Sequence, residues 1–335
     1  MGRAAITVEG LAKTYVVPVR EAGMGAAFRS LFQRRTREVA AVDALEFSLE
    51  PGEVVGFLGP NGAGKTTTLK LLTGLIFPTS GTARIRGRFI DDIGMHSEIG
   101  YLPEQPYFYD YLTARELLDY YARFSNYTAA ERRARVGRLL EHVGLASAAD
   151  LQLRKYSKGM LQRAGIAQAI LHDPPVIFLD EPMSGLDPLG RREVRDTLIE
   201  LRKQGRTVFF STHILADAEM LCDRVAVLAG GKLQGVGAPG DIVSLEVHAM
   251  DVLFELPPSH EVPPVFAPNI TRIGARCRLE IPEPELYAAL DELRRCKARI
   301  LSVSAVRPTL EDYFLRLVNK QPNKPVRSGL EVALR

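Results

Sequence analysis

One glycine-rich segment carries the residue types and spacing of a phosphate-binding loop. Its members are Gly59, Pro60, Asn61, Gly62, Ala63, Gly64, Lys65, Thr66 and Thr67. A buried-strand pattern at residues 53–58 precedes the segment and a helical pattern at residues 67–75 follows it, which is the context that a P-loop requires. Glycines let backbone N–H groups turn toward phosphate oxygens, and the amino end of the helix adds partial positive charge. The spacing predicts that Lys65 reaches the β- and γ-phosphates of a nucleotide and that the Thr66 hydroxyl holds Mg²⁺. The alternative is a purely structural turn.

Two adjacent carboxylates follow the apolar run of residues 176–179. Asp180 stands at the carboxyl end of this predicted strand, where Mg²⁺ bound beside a P-loop needs an oxygen ligand or an oxygen that holds one of its waters. Glu181 is the candidate base, or orienting group, for an attacking water. An ordinary loop start is the alternative, and the P-loop argues against it because both features would serve one nucleotide.

Five segments, which include the two carboxylates, follow one another in a fixed order and distinguish between P-loop families. They are Gln105 after the predicted strand of residues 99–102, Tyr156-Ser157-Lys158-Gly159-Met160-Leu161-Gln162-Arg163, Asp180-Glu181-Pro182, Ser184-Gly185-Leu186-Asp187 and Ser211-Thr212-His213. In this order they resemble the lid glutamine, the signature, the magnesium-binding segment, the inter-subunit segment and the switch histidine of ATP-binding-cassette (ABC) ATPases. The resemblance covers roughly residues 4–240.

The resemblance implies a dimer in which two such domains clamp two ATP molecules head to tail. It assigns Ser157 and Gly159 to the γ-phosphate of ATP held by the second subunit, and His213 to the γ-phosphate and the water. It assigns Gln105 to Mg²⁺ and to sensing of a membrane partner. ATP and Mg²⁺ are therefore the implied cofactors, and Glu181, His213 and Gln105 are the implied catalytic residues.

The signature segment departs from the family's commonest sequence, Leu-Ser-Gly-Gly-Gln. Lys158 replaces the first glycine and Met160 replaces the glutamine, whereas Ser157 and Gly159 remain. This variant resembles the branch of exporters whose permease subunits are separate six-helix chains. The implied protein is an ATPase subunit, peripheral on the cytoplasmic side of the cell membrane, that pairs with a second ATPase subunit and with integral membrane permease subunits.

Aromatic residues add two weaker predictions. Tyr15 follows the first predicted strand, where family members carry an aromatic residue that stacks on adenine; a core or rim tyrosine is the alternative. The segment from Tyr107 to Tyr111 is rich in tyrosine, and aromatic anchors dominate protein interfaces. We expect it to contribute to the groove that receives the transporter's coupling helix, with stacking on nucleic acid as the competing function.

Short apolar strands alternate along the chain with segments whose apolar residues recur at helical spacing, and these elements must position the site residues. This alternation is typical of an α/β domain around a largely parallel sheet. The predicted fold class is a P-loop ABC ATPase domain with a helical subdomain, followed by a small α+β domain. We place the ABC-type domain at residues 1–240 and its helical subdomain at about 105–160. An accessory α+β domain spans residues 241–319, because proline-rich sequence and a new alternation follow Ala238-Pro239-Gly240, and residues 320–335 form a flexible tail.

An insertion at residues 17–37 separates the first strand from the P-loop. Phe28, Leu31 and Phe32 recur at helical spacing among arginines, which predicts a basic amphipathic helix against a membrane surface or the partner. A surface helix packed on its own domain is the alternative.

Composition limits the other functional classes. The 335 residues carry a net charge of +3, which does not require a nucleic-acid partner, and we expect none. No apolar stretch approaches the length of a membrane-spanning helix. Cys222, Cys277 and Cys296 lack metal-type spacing. The alternative function is a soluble ABC-type ATPase that acts on the ribosome or nucleic acid; such proteins usually carry two cassettes or a long coiled coil, which this sequence lacks.

Overall fold

The computed structural model describes residues 4–18, 36–242, 249–257, 266, 270–274 and 276–306. Its strands are β1 (Ile6–Pro18), β2 (Thr36–Leu49), β3 (Val54–Leu58), β4 (Ser80–Ile85), β5 (Arg88–Phe89), β6 (Ile99–Leu102), β7 (Val176–Asp180), β8 (Thr207–Thr212), β9 (Arg224–Ala229), β10 (Lys232–Gly237), β11 (Ala249–Glu255), β12 (Ile270–Ile273), β13 (Arg276–Pro282) and β14 (Arg299–Val306). Its α-helices are α1 (Lys65–Leu72), α2 (Ala114–Ala122), α3 (Ala129–His142), α4 (Lys158–Ala169), α5 (Pro188–Lys203), α6 (Leu215–Leu221), α7 (Pro239–Ile242) and α8 (Leu286–Arg295). The chain divides into two units, Met1–Pro239 and Gly240–Arg335.

A six-stranded sheet with the order β10-β9-β3-β8-β7-β6 forms the centre of the first unit. Strands β9, β3, β8, β7 and β6 are parallel, and β10 runs antiparallel to β9. Every residue of β3, β7 and β8 is buried, because both faces of a parallel sheet are covered. The carboxyl ends of these three strands meet at one edge, which brings the P-loop, Asp180 and His213 together.

Alternate side chains of β7 show how the sheet is covered. Ile177 and Leu179 pack into the apolar core that includes α2, α3, α4 and α5. Val176 and Phe178 face the other core, where α1 and a second sheet supply the apolar side chains. The two cores hold the strand ends rigidly, so the loops that follow these strands begin from fixed positions.

The second sheet of this unit is antiparallel and has the order β2-β1-β4-β5. Leu45, Phe47 and Leu49 of β2 are buried, because alternate side chains of a strand face the same side of the sheet. Both ends of the predicted insertion belong to this sheet, since Val17 pairs with Arg37 and Pro18 with Thr36. The amphipathic helix predicted around Phe28 lies outside the described residues.

Helices α2 and α3 each begin with a capping box. Thr113 and Glu116 exchange side-chain and backbone hydrogen bonds at the start of α2, and Thr128 and Glu131 do so at the start of α3, which satisfies amide groups that a helix start leaves free. Apolar side chains of both helices share one core with α4.

The second unit contains an antiparallel sheet with the order β12-β13-β11-β14 and the helix α8. Cys277, Leu279 and Ile281 of β13 are buried together with Leu293 of α8. Residues 307–319 of the predicted accessory domain and the predicted tail at 320–335 lie outside the described residues. Within the part of the chain that the structure covers, no helix is long and apolar enough to cross a membrane.

Candidate nucleotide site

The P-loop connects β3 to α1 and needs glycine at two positions of close approach. A Cβ atom on Gly59 would lie 2.5 Å from the carbonyl oxygen of Leu228, and one on Gly64 would lie 2.3 Å from that of Ala41. Gly64 also has φ +106, a conformation that side chains disfavour. These contacts fix the loop between β2 and β9 and leave its backbone turned around the start of α1.

Lys65, the first residue of α1, is buried and bends back over its own loop. Its Nζ donates to the carbonyl oxygen of Gly59 at 2.7 Å and lies 3.3 Å from Glu181 Oε1. A buried ammonium group needs such partners, because removing a charge from water costs several kcal/mol. Phosphate oxygens can take the place of both oxygen partners, so the position of the lysine suits it to bind a nucleotide.

Asp180 lies beneath the loop and is almost fully buried. Its Oδ1 accepts hydrogen bonds from Ser211 Oγ at 2.6 Å and from Thr66 Oγ1 at 3.2 Å. Its Oδ2 is buried and has no hydrogen-bond partner among the described residues. Buried carboxylate oxygens are normally paired, and oxygen donors of this kind are the ligands that Mg²⁺ prefers. Asp180 and Thr66 therefore fit the magnesium ion that accompanies a bound nucleotide.

No group of three or more His, Cys, Asp or Glu side chains in the described ranges could hold a metal by itself. Mg²⁺ at nucleotide sites usually keeps several waters and takes further ligands from the substrate's phosphates. The two protein oxygens of Asp180 and Thr66 are therefore sufficient.

Glu181 stands between a cation and an imidazole. Its Oε1 faces Lys65, and its Oε2 lies 2.8 Å from His213 Nδ1. Its backbone has φ +50, a left-handed conformation that turns the chain sharply after β7. Its amide donates to Ser211 Oγ at 2.9 Å. The carboxylate is thus held in one orientation at the mouth of the site.

Ser211 is a residue of the site whose contacts the sequence did not reveal. It pairs with Asp180 across β7 and β8, so one hydroxyl accepts from the Glu181 amide and donates to Asp180. A serine beside His213 at the end of a buried strand was the available signal, but its partners depend on the register of two strands distant in sequence.

Burial and the nearby charge of Asp180 raise the pKa of the Tyr101 phenol. Tyr101 lies on β6, next to β7 in the sheet. The phenol therefore stays neutral at the pH of the cell and adds no second negative charge beside Asp180.

Most of the predicted phosphate-binding residues line a cavity of about 530 Å³. Its lining consists of Ala41, Pro60, Asn61, Gly62, Gly64, Lys65, Thr66, Thr67, Glu104, Glu181, Ser184 and His213. Gly59, Ala63 and Asp180 lie behind this surface and support it. The sequence did not single out Ala41, Glu104 or Ser184 individually.

Besides Gly59, Ala63 and Asp180, four predicted residues lie outside this lining. Gln105 is exposed, and its neighbour Glu104 faces the cavity instead. Tyr15 is 39% exposed, and Lys13 Nζ lies 5.4 Å from the centre of its ring. Ser157 and Gly159 are at the start of α4, where Ser157 Oγ accepts a hydrogen bond from the Met160 amide at 3.2 Å. Ser157 and Gly159 do not line this cavity, and their implied action on a second chain's nucleotide stays a prediction.

Comparison with known proteins shows similarity to ATP-binding proteins of ABC transporters. A family model described as ABC transporter matches residues 42–184. The chain is 42% identical over 287 residues to an uncharacterized ABC transporter ATP-binding protein of Synechocystis sp., covering 85% of this chain and 80% of that protein. It is 34% identical over 296 residues to the Nod factor export ATP-binding protein I of Burkholderia pseudomallei, covering 86% and 95% respectively.

Solved structures resemble the chain as well. One is a dimeric ATP-binding cassette in a post-hydrolysis state bound to ADP and Pi, with a TM-score of 0.59, 25% identity, and coverage of 70% of this chain and 98% of that one. Another is the ATP-binding subunit of an ABC transporter, with a TM-score of 0.58, 31% identity, and coverage of 71% and 91%.

Proposed function

This chain belongs to the family of ABC transporter ATP-binding proteins, whose general activity is ATP hydrolysis, and we propose that Glu181 is the base of that reaction. We further propose that two such sites form between two ATPase subunits and drive export through separate membrane subunits. The observation that carries the proposal is the contact chain from Lys65 through Glu181 to His213, directly above the Thr66, Asp180 and Ser211 network.

The first step is binding of ATP to the P-loop. Phosphate oxygens replace Gly59 O and Glu181 Oε1 as partners of the Lys65 ammonium group, and charge-assisted contacts of this kind are the stronger ones. Loss of the lysine contact frees Glu181 Oε1 for a water molecule. The same exchange of contacts therefore binds the substrate and frees the base.

Thr66 and Asp180 are the residues that would hold Mg²⁺, which neutralises charge on the β- and γ-phosphates when it is bound. Ser211 fixes Asp180 through the 2.6 Å hydrogen bond. The same hydroxyl accepts from the Glu181 amide, so the metal ligand and the base keep a constant separation.

Hydrolysis then requires one proton transfer. A water oxygen forms a bond to the γ-phosphorus while the bond from that phosphorus to the ADP oxygen breaks, and the water's proton passes to Glu181. The His213 tautomer with its proton on Nδ1 donates to Glu181 Oε2 and holds the carboxylate in line. His213 is 45% exposed on the side chain and lines the cavity, so its unprotonated Nε2 is available to accept a hydrogen bond from the attacking water.

Completion of the site by a second subunit is the next part of the proposal. Ser157 and Gly159 lie at the start of a helix whose first turn has no acidic residue, and a helix start favours anions. They would contact the γ-phosphate of ATP in the second subunit. The dimeric cassette among the similar structures supports this arrangement.

The last part of the proposal concerns the membrane partners and the direction of transport. Tyr107, Tyr109 and Tyr111 expose 90%, 55% and 60% of their surface, and exposed aromatic side chains favour an interface. We assign them to docking of integral permease subunits, with this chain peripheral on the cytoplasmic side of the membrane. Export is proposed because a relative covering most of the chain is an export ATP-binding protein. The similarities to transporter proteins do not favour the ribosome or nucleic-acid alternative.

The test combines ATP turnover with the size of the protein in ATP and Mg²⁺. Glu181→Gln is expected to lose about 10²–10⁴-fold in turnover and to accumulate as an ATP-bound dimer, because closure persists when hydrolysis stops. Glu141→Gln, an exposed change on α3, is the matched control and should behave as wild type. Equal turnover by Glu181→Gln and Glu141→Gln would remove Glu181 from the reaction.

A further inference from the structure

A second cavity lies at the opposite edge of the six-stranded sheet from the nucleotide site. Its volume is about 190 Å³, and its walls come from α3, from the loop that enters β7 and from the segment between α5 and β8. Pro174 and Arg206 precede the amino ends of β7 and β8, whereas Asp180 and His213 stand at or after the carboxyl ends. The two cavities share no lining residue.

Positive charge predominates in this cavity. Its charged and polar lining consists of Arg135, Arg138, His142, Asp173, Gln204 and Arg206. The one carboxylate is shared, because Asp173 Oδ1 lies 3.2 Å from Arg135 and 2.8 Å from Arg206. With histidine neutral, three arginines and one aspartate leave a formal charge of +2.

Two of these polar groups have no partner. Within the described part of the chain, Arg138 makes no hydrogen bond or ion pair, and the Nε2 atom of His142 is buried without a hydrogen-bond partner. Arg135, Arg138 and His142 are spaced three and four residues apart on α3, so they share one face of the helix. A buried polar atom without a partner is unfavourable, and here it lies beside uncompensated positive charge.

We propose that this cavity binds inorganic phosphate. Arginine recognises phosphate through two parallel N–H donors, and the His142 ring and the Gln204 amide offer further polar contacts. The apolar floor of Leu139, Ile177 and Leu201 limits the space. A volume of about 190 Å³ holds one phosphate and a few waters at about 30 Å³ per water, and it is smaller than the ~300–1,000 Å³ of pockets for larger ligands.

A bound phosphate would join two parts of the first unit. Arg138 and His142 belong to α3, whereas Gln204 and Arg206 belong to the segment between α5 and β8. An anion contacted from both sides resists displacement of α3 from the sheet edge and stabilises the folded unit by mass action. This inference concerns a different cavity and does not depend on the proposed reaction.

The experiment is a calorimetric titration of the full chain with inorganic phosphate, compared with chloride at equal ionic strength. The protein is first saturated with the non-hydrolysable ATP analogue AMP-PNP and Mg²⁺, which occupies the P-loop. Wild type is expected to bind one phosphate per chain. Arg138→Gln should weaken phosphate binding at least about tenfold, because it removes a charge-assisted contact.

Arg133→Gln is the matched control for this variant. Arg133 is also exposed on α3, makes no ion pair with the described residues and does not line the cavity, so its replacement should leave phosphate affinity unchanged. Phosphate should also raise the unfolding temperature of wild type and Arg133→Gln more than that of Arg138→Gln. Absence of phosphate binding by wild type, or equal affinity of the two variants, overturns the proposal.

Discussion

Replacement of Ser211 by alanine would test whether one buried hydroxyl organises both carboxylates of the nucleotide site. Ser211 is fully buried, donates to Asp180 Oδ1 at 2.6 Å and accepts from the Glu181 amide at 2.9 Å. The alanine side chain fits the same space, because the change removes a single oxygen atom. Effects of Ser211→Ala therefore report the two hydrogen bonds rather than altered packing.

The expected magnitude follows from those two contacts. A hydrogen bond to a charged group contributes about 1.5–3 kcal/mol, and a buried N–H left without a partner costs about 1–3 kcal/mol. Because partial relaxation reduces their sum, we expect the free energy of unfolding to fall by about 2–4 kcal/mol. Loss of the group that orients a metal ligand typically lowers activity about 10–100-fold, and we expect that decrease in kcat/KM for ATP.

Urea unfolding followed by circular dichroism and steady-state ATP turnover measure these two effects. Ser97→Ala is the control, since Ser97 is exposed and donates only to the Gly94 carbonyl oxygen; its expected effect on the free energy of unfolding is within about 0.5 kcal/mol. If Ser211→Ala unfolds and hydrolyses ATP as Ser97→Ala does, the hydroxyl does not hold the site and the reasoning is refuted.

Three other predictions follow from the same geometry. Gly64→Ala should lower the free energy of unfolding by more than about 2 kcal/mol, because the new Cβ would lie 2.3 Å from Ala41 O at φ +106, whereas Gly62→Ala, with φ +79 and open space, should cost about 1 kcal/mol; equal losses in urea titrations would contradict this. Lys65→Met should weaken binding of a fluorescent ATP analogue by about 10²-fold, and wild-type affinity would exclude the predicted phosphate contact. The raised pKa of folded Tyr101, above its ordinary value of 10.0, means that the unfolded chain loses the phenol proton first; stability should therefore fall as pH rises above that value, and the fall should be smaller in Tyr101→Phe. Identical pH dependence of the urea midpoints in wild type and Tyr101→Phe would argue against it.

Local sequence patterns were sufficient to predict that the P-loop, Asp180 and Glu181 lie close together. The P-loop, Asp180 and Glu181 follow buried strands whose apolar runs are continuous, and parallel strands deliver their carboxyl ends to one edge. The predicted fold class, a P-loop ABC ATPase domain, is confirmed by the similar cassette structures. The roles of the individual site residues stay predictions until the variants are measured.

Contacts between segments distant in sequence, and irregular backbone, determine the features that could not be predicted from the sequence. The contact of Ser211 with Asp180 depends on the register between β7 and β8, which no local spacing specifies. Glu104 rather than Gln105 lines the cavity because the chain after β6 leaves regular structure, and strand alternation no longer determines which side chain points inward. Tyr15 lies beyond three register shifts between β1 and β2, so the direction of its side chain could not be predicted from the alternation at the start of β1.

ATP turnover by mixed dimers tests the proposed composite site most directly. Glu181→Gln lacks the base, and Gly159→Asp places a carboxylate at the start of α4, where a Cβ has no neighbour closer than 3.6 Å but a negative charge repels phosphate. Each variant alone should be nearly inactive. Mixed before ATP is added, they should form dimers with one intact site, and a 1:1 mixture should recover about a quarter of wild-type turnover. A mixture that stays as inactive as either variant alone would contradict a site built from Lys65, Glu181 and His213 of one chain and Ser157 and Gly159 of another.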